Sequence, residues 1–340
     1  MSIVIQTSFL GDAILSLPFL HEILRLESDH HVWIAAPRNK AIIELALQRG
    51  LKNFDHRVTL VEYDKKKYST PWSMYNYSQN LIKKFPDQKR IYCLQRSFRN
   101  GLLSFFTGLS ERVGFSTGSA SYFYTECVRR EWDGPIGELE KNLELLRHHY
   151  GNFPAWSPDS APSLLREIGK QRDYQKGTLA LSLTSPWPTK QWDLVEAQEL
   201  VKNLIKEGWD IYLLGDAKSA DFNKQISQSI SSKLLHDLSG QTPIKEWVDR
   251  IDQCEILVSG DSAAVHVASD LKVPVLSIFG PTHPSFGFAP WRKNAKVIGV
   301  ELACRPCHIH GPKQCPLKHH NCMKLIKAQD IYRAIEELRS

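Results

Sequence analysis

The chain has 340 residues, too many for one ordinary core and about right for two domains of roughly 150 residues each. Hydrophobic residues make up 42% and charged residues 24%, which excludes a disordered chain, and no apolar stretch approaches the ~18 residues of a membrane span. Net charge is +6, with 20 basic and 17 acidic side chains in residues 1–160 and 23 and 20 in the remainder; that even split gives no basic tail or block of the nucleic-acid type, while the mild excess suits anionic small ligands or an anionic membrane surface.

The opening "MSIVIQTS" lacks the basic region of a secretory signal and reads as a first buried strand, so the expected location is the cytosol. Short apolar runs at residues 3–5, 32–35 and 91–94 read as strands, and amphipathic runs at 17–26, 39–47 and 138–148 read as helices. Such alternation means βαβ units and a parallel sheet. Pro18 requires either a kinked helix starting near Asp12 or a second helix that starts with Ser16 as its cap. "YGNFPAWSPDSAPSLL" at 150–165 reads as a linker, which divides the chain into domains 1–160 and 161–340. Strands are then expected at 178–183, 211–214, 256–259 and 273–279. Helices are expected at 193–206, 220–230, 262–271 and 325–338. Two α/β domains make a cleft, and ligands of open α/β sheets bind outside the carboxyl ends of the strands.

Three strand ends carry chemistry. In "QTSFLGDAILSLPFL", Asp12 follows the first strand and is either a helix cap or a general base, with Gly11 loosening the backbone beside it. The single glycine excludes a dinucleotide fingerprint, which needs three. In "SLTSPWPTKQWDL", Thr189 and Lys190 lie between two tryptophans. Lys190 can meet phosphate oxygens as a point charge or simply be solvated. In "LVSGDSAAVHVASDL", the strand ends at Gly260 and Asp261 or Ser262 caps a helix, leaving the N–H groups of Ser262, Ala263 and Ala264 as an anion site. His266 is one turn further on the same face, as a hydrogen-bond donor to phosphate or as an ordinary core or surface histidine. Together these features suit transfer from a nucleotide-diphosphate donor held by the second domain to a hydroxyl held by the first.

Nearly the whole chain resembles the bacterial ADP-heptose:lipopolysaccharide heptosyltransferases of glycosyltransferase family nine. The likeness runs through "TSFLGDAILSLPFL", "LQRSFRNGLLSFFTGLSERVGF", "WPTKQW", "LLGDAKSADF" and "GDSAAVHVASDLKVPVLSIFGPTHP", and the Cys-rich segment after residue 303 is similar to that of the second-heptose type. The resemblance implies a GT-B fold of two Rossmann-like domains facing across a cleft, the last helix often crossing back to the first domain. It also implies inverting transfer of heptose from ADP-heptose to the lipopolysaccharide inner core, with no metal or other cofactor. By position, Asp12 is then the catalytic base. Thr189, Lys190, Gly215, Asp216, Gly260, Asp261, Ser262, Ala263 and His266 fall on the donor side, and Ser8, Gly11, Arg96 and Arg99 on the acceptor side. Ala263 stands where the family usually has glycine, "LTSP" replaces a glycine-containing turn, and "TKRW" becomes "TKQW". A transferase with another donor or acceptor, or a sugar-nucleotide epimerase on the same fold, is the alternative; the charge pattern argues against a nucleic-acid-binding module.

Cys93, Cys127 and Cys254 sit among apolar neighbours and are expected inside. Cys304, Cys307, Cys315 and Cys322, interspersed with histidines, are either a four-thiolate zinc site or reduced thiols in a tight excursion. "KKKYSTPWSMYNYSQNLIKKF" at 65–85 mixes lysines with aromatics, as a peripheral inner-membrane contact or a solvated loop and helix.

Overall fold

Ser2–Gln6 has every side chain buried, the pattern of a central strand in a parallel sheet with both faces covered. The computed structural model describes residues 1–130, 137–151, 157–158 and 160–339. The chain forms two units, Met1–Ser157 with Arg166–Ile168, and Pro158–Leu165 with Gly169–Ser340. Residues 152–156 and 159 of the expected linker lie outside the described residues.

The first unit runs β1 (Ser2–Gln6), α1 (Leu10–Leu15), α2 (Leu17–Leu26), β2 (His31–Ala35), α3 (Lys40–Gln48), β3 (Val58–Glu62), α4 (Pro71–Lys84), β4 (Arg90–Cys93), α5 (Phe98–Phe106), β5 (Glu111–Phe115), β6 (Glu126–Val128) and α6 (Glu138–Tyr150). Its strands pair in parallel in the order β3-β2-β1-β4-β5-β6. Pro18 sits in the first turn of α2 after a break at Ser16, so the two-helix alternative holds. Ser16 does not cap with its side chain; its hydroxyl donates to the Ala13 carbonyl at 2.6 Å. Cys127, expected inside, is exposed: it is the middle residue of the edge strand β6, where period-two alternation turns Val128 inward instead.

The second unit runs β7 (Gln175–Ser182), α7 (Leu194–Lys206), β8 (Asp210–Leu213), α8 (Ala220–Ser229), β9 (Leu235–Asp237), α9 (Ile244–Gln253), β10 (Cys254–Gly260), α10 (Ala263–Leu271), β11 (Val275–Ile278), β12 (Ala295–Ile298), α11 (Asn321–Lys324) and α12 (Ala328–Arg339). The sheet is parallel again, ordered β12-β11-β10-β7-β8-β9. Both sheets therefore grow outward in two directions from a central pair, β1/β4 and β7/β10. The carboxyl ends of such a pair are where open α/β sheets bind ligands. The last helix packs into this unit's own core, with Ile331, Ala334 and Ile335 joining Leu200, Val201 and Leu204 of α7. Ser163 and the Leu164 and Leu165 amides converge on the buried Asp270 carboxylate, which docks the start of the unit onto the end of α10. No helix among the described residues is long and apolar enough to cross a membrane.

Candidate active site

In the first unit, the loop after β1 is clamped from both neighbouring strands. Thr7 donates from its amide to Gln95 Oε1 at 3.3 Å and lies 3.1 Å, hydroxyl to amide oxygen, from Asn100. The Ser8 carbonyl accepts from Arg38 at 3.1 Å and from Asn39 at 2.9 Å. This holds the first turn of α1, where Asp12 sits three residues past the cap position, Phe9, and accepts the Phe9 amide at 3.1 Å. Asp12 is thus not the cap residue the sequence suggested; it bonds back to the cap's backbone. Gly11 is an ordinary helical residue and uses no left-handed conformation.

Part of Asp12 reaches solvent, yet its carboxyl lies deep enough that burial pushes its pKa up from the ordinary value. The Ser8 hydroxyl pulls back against that shift, Glu138 adds to it, and the Phe9 amide and Arg130 oppose it. Glu138 is itself buried in an ion-paired trio, 2.6 Å from Arg130 and 3.3 Å from Lys141. Lys65 is held below its usual range by burial and by Arg38 and Arg99, with Asp12 opposing. Arg96 is lowered to about 10 by burial and by Arg130. Arg99 donates to the Lys65 and Tyr68 carbonyls at 2.8 and 3.1 Å, so it fixes the segment that carries Lys65. Arg130, Glu138 and Lys141 were not singled out from the sequence, and Lys65 was read only as part of the 65–85 segment; Asp12 and Glu138 are far apart in the chain, and no local pattern joins them.

In the second unit, Lys190 Nζ lies 2.5 Å from Asp261 Oδ2, and the Thr282 hydroxyl donates to the same oxygen at 2.8 Å. Ser262, not Asp261, is the cap of α10, and its hydroxyl accepts the Ala264 amide at 3.4 Å. One of the three amides expected for an anion is therefore already engaged. His266 is buried and stacks on Trp291 with rings 5.8 Å apart. Burial lowers it to about 4, with Asp261 opposing and Lys190 reinforcing, so the imidazole is neutral at neutral pH. Its Nδ1 has no partner among the described residues. Gly215 permits a close turn: a Cβ there would stand 2.5 Å from the Ser219 Cβ. Asp216 caps that turn, accepting the Lys218 and Ser219 amides at 3.1 Å each. A Cβ added at Gly260 would stand 3.4 Å from the Lys190 carbonyl oxygen, an ordinary packing distance.

The Cys-rich excursion supports Lys190 from below. The Thr189 hydroxyl donates to the Pro312 carbonyl at 2.5 Å, and the Thr189 carbonyl lies 2.7 Å from His320 Nε2. Trp187 stacks on His310 at 5.9 Å. Gly311, at φ +80°, presses so close that a Cβ would lie 3.4 Å from Lys190 Cε and 3.3 Å from Thr189 Oγ1. All four thiols of the segment are free; burial raises Cys307 and lifts Cys322 to about 11, while backbone amides of residues 317–320 lower Cys315. Among the described residues, no three His, Cys, Asp or Glu side chains are grouped to hold a metal ion.

Two parallel sheets in this order, with the candidate groups at their carboxyl ends, define a GT-B architecture. Residues 79–319 match the model of glycosyltransferase family 9 (heptosyltransferase), so the chain belongs to that family. Lipopolysaccharide heptosyltransferase 2 of Salmonella typhimurium is 33% identical over 225 residues, 62% of this chain and 64% of that one. The chain spans roughly half to two-thirds of the length of several curated heptosyltransferase 2 relatives. Among solved structures, E. coli ADP-heptose lps heptosyltransferase II superposes with a TM-score of 0.73 at 20% identity, covering 99% of this chain and 98% of that one. E. coli heptosyltransferase WaaC with ADP gives a TM-score of 0.74 at 16% identity, covering 99% of each.

Proposed function

We propose that this protein is an inverting glycosyltransferase that moves heptose from ADP-L-glycero-D-manno-heptose to the inner core of lipopolysaccharide, adding the second heptose, in the cytosol at the inner face of the inner membrane. Family membership supports the glycosyl transfer. The run of curated relatives carrying the heptosyltransferase 2 name supports heptose as the transferred sugar and the second-heptose assignment. The single observation that carries the mechanism is the Asp12 carboxyl: desolvated, with a raised pKa, and fixed by the Phe9 amide. A carboxylate made more basic by burial is better matched to taking a proton from a hydroxyl.

In this mechanism an acceptor hydroxyl oxygen attacks the anomeric carbon as the bond from that carbon to the diphosphate oxygen breaks. The hydroxyl proton passes to Asp12, and ADP leaves with the electron pair. One in-line displacement inverts the anomeric centre. Lys190 and the N-terminal end of α10 meet the growing negative charge on the diphosphate, which competes with Asp261 for the ammonium. Lys65 and Arg96 give the acceptor side a basic lining suited to an anionic sugar.

Thermal unfolding with a panel of ADP-, UDP-, GDP- and CMP-linked sugars tests the donor. At 100 Kd a ligand stabilises a fold by ~2.7 kcal/mol. The expected result is a shift with ADP-heptose and ADP alone. A shift with another nucleotide in their place would overturn the donor assignment.

A further inference from the structure

An unbroken stripe of six aromatic rings crosses the first unit outside the candidate site. Trp72 stacks on Tyr75 at 5.7 Å, Tyr75 meets Phe106 at 5.6 Å, and Phe106 meets Phe105 at 6.1 Å. Phe105 meets Phe123 at 5.9 Å, and Phe123 meets Phe98 at 5.1 Å. These rings come from α4, α5 and the turn before β6. Phe106 packs against the core and Phe123 is half-buried, but the others face solvent: Trp72 is 71% exposed, Phe98 52%, Phe105 50%, Tyr75 38%, and the neighbouring Tyr122 89%. The core side of α4 is made by other residues, Met74, Tyr77, Ser78 and Leu81. A soluble chain rarely leaves this much contiguous aromatic surface uncovered without a use for it.

Charge indicates what covers it. The first 160 residues are nearly balanced, but residues 65–106, which carry most of the stripe, hold nine basic side chains and one acidic one, Asp87; five of the nine, Lys66, Lys67, Lys83, Lys84 and Lys89, are exposed, and Arg90 is paired with Glu111. Lys65, Lys66 and Lys67 precede α4, and Lys83 and Lys84 end it, so lysines bracket the helix that presents Trp72 and Tyr75. Apart from Lys65, these lysines are exposed. Apolar phenylalanine rings, the amphipathic rings of Trp72 and Tyr75, and lysines at both ends of α4 match the headgroup region of an anionic bilayer, where each suits a different layer. A protein partner of ordinary composition would not call for so one-sided a charge. The stripe also adjoins the acceptor machinery: Phe98 opens α5, and Arg99 beside it bonds the Lys65 carbonyl, while Lys65 is electrostatically coupled to Asp12.

We propose that this aromatic and lysine surface docks the protein onto anionic phospholipid, holding the Asp12 end of the first unit near the headgroups. The inference rests on the reading above that the acceptor is a membrane-borne glycolipid, and it assigns the part of the molecule that meets the membrane.

Co-sedimentation of the full chain with vesicles of phosphatidylcholine, alone or mixed with phosphatidylglycerol, tests it without donor or acceptor present. The wild type should bind the mixed vesicles, weakly at high salt, and not the neutral ones. The Lys83→Gln/Lys84→Gln variant should lose roughly thirtyfold in partitioning, about fivefold for each lysine. The Trp72→Ser/Phe105→Ser/Tyr122→Ser variant should lose at least about tenfold. Both variants should keep wild-type transfer to a delipidated, water-soluble core acceptor, which checks that they fold. Wild-type protein that ignores anionic vesicles, or variants that bind them as wild type does, would overturn the docking. So would concentration-dependent self-association abolished by the same substitutions, which would assign the stripe to a second copy of the chain. Failure of wild-type transfer with the soluble acceptor would instead count against the enzymatic reading, because vesicle binding is measured independently of it.

Discussion

Lys190 and Asp261, 71 positions apart in the chain, form a buried ion pair at 2.5 Å where the loop after β7 meets the end of β10. The pair holds the lysine in one position in a covered site, with Thr282 bonded to the same carboxylate oxygen. In the proposed mechanism the donor diphosphate is a second anion for the same ammonium.

Lys190→Gln should therefore do two things. It leaves Asp261 buried with its cation gone, at a cost of roughly 3–5 kcal/mol of stability. It should also weaken ADP binding by about tenfold or more, measured by titration calorimetry. Adding Asp261→Asn to Lys190→Gln should restore much of the stability and none of the ADP affinity. Recovery of ADP affinity in the double variant would remove Lys190 from the donor site.

Burial of two titratable groups fixes the sign of pH effects. His266 is lowered from 6.5 to about 4, so the unfolded chain binds the proton first as pH falls. Stability from this group is full above pH 6.5 and is lost toward pH 4, on the order of 3 kcal/mol. His266→Gln should flatten that part of the curve in denaturant titrations at stepped pH. His31, also buried and lowered to about 4, should contribute a second and separable share.

Asp12 has the opposite sign. Its folded pKa is raised, so the folded state favours the neutral acid, and the penalty appears as pH rises through the folded value. Asp12→Asn should melt higher than wild type at neutral pH, with the gap closing below about pH 4, where both states are protonated.

Gly311 is where the Cys-rich excursion approaches Lys190, the lysine proposed to meet the donor. Its φ of +80° and its approach to Thr189, Pro281 and Lys190 leave no comfortable place for a side chain. Gly311→Ala should cost ~1–2 kcal/mol of backbone strain. It should raise the KM for the donor more than it lowers kcat, as measured in steady-state transfer assays. An unchanged donor KM would mean the excursion does not position Lys190.

Much of this was legible in the sequence, for identifiable reasons. Buried parallel strands are continuous apolar runs, which is why β1, β2 and β10 were visible, and α2 shows its Pro in the first turn. By contrast, α4 hides its inner face behind Met74, Tyr77, Ser78 and Leu81, where tyrosine and serine break the apolar stripe. The edge strands β6, β9 and β12 are too short, or too little buried, to stand out. Asp12, Lys190, Asp261 and His266 were found because each follows a strand. Their partners were not. The Lys190–Asp261 pairing, the Asp12–Glu138 coupling and the stacking of His266 on Trp291 are made by the fold alone. The four cysteines drew attention to their thiols, whereas the contacts that hold Thr189 and Lys190 come from the Pro312 carbonyl, the His320 ring and Gly311.

The most direct test of the account is single-turnover heptose transfer by Asp12→Asn, alongside a titration of ADP-heptose binding to the same variant. The predicted result is donor affinity within a factor of about two of wild type and a transfer rate lower by ~10²–10⁴-fold, the usual contribution of a positioned base. Transfer at the wild-type rate would contradict the assignment and leave Asp12 with only its bond to the Phe9 amide.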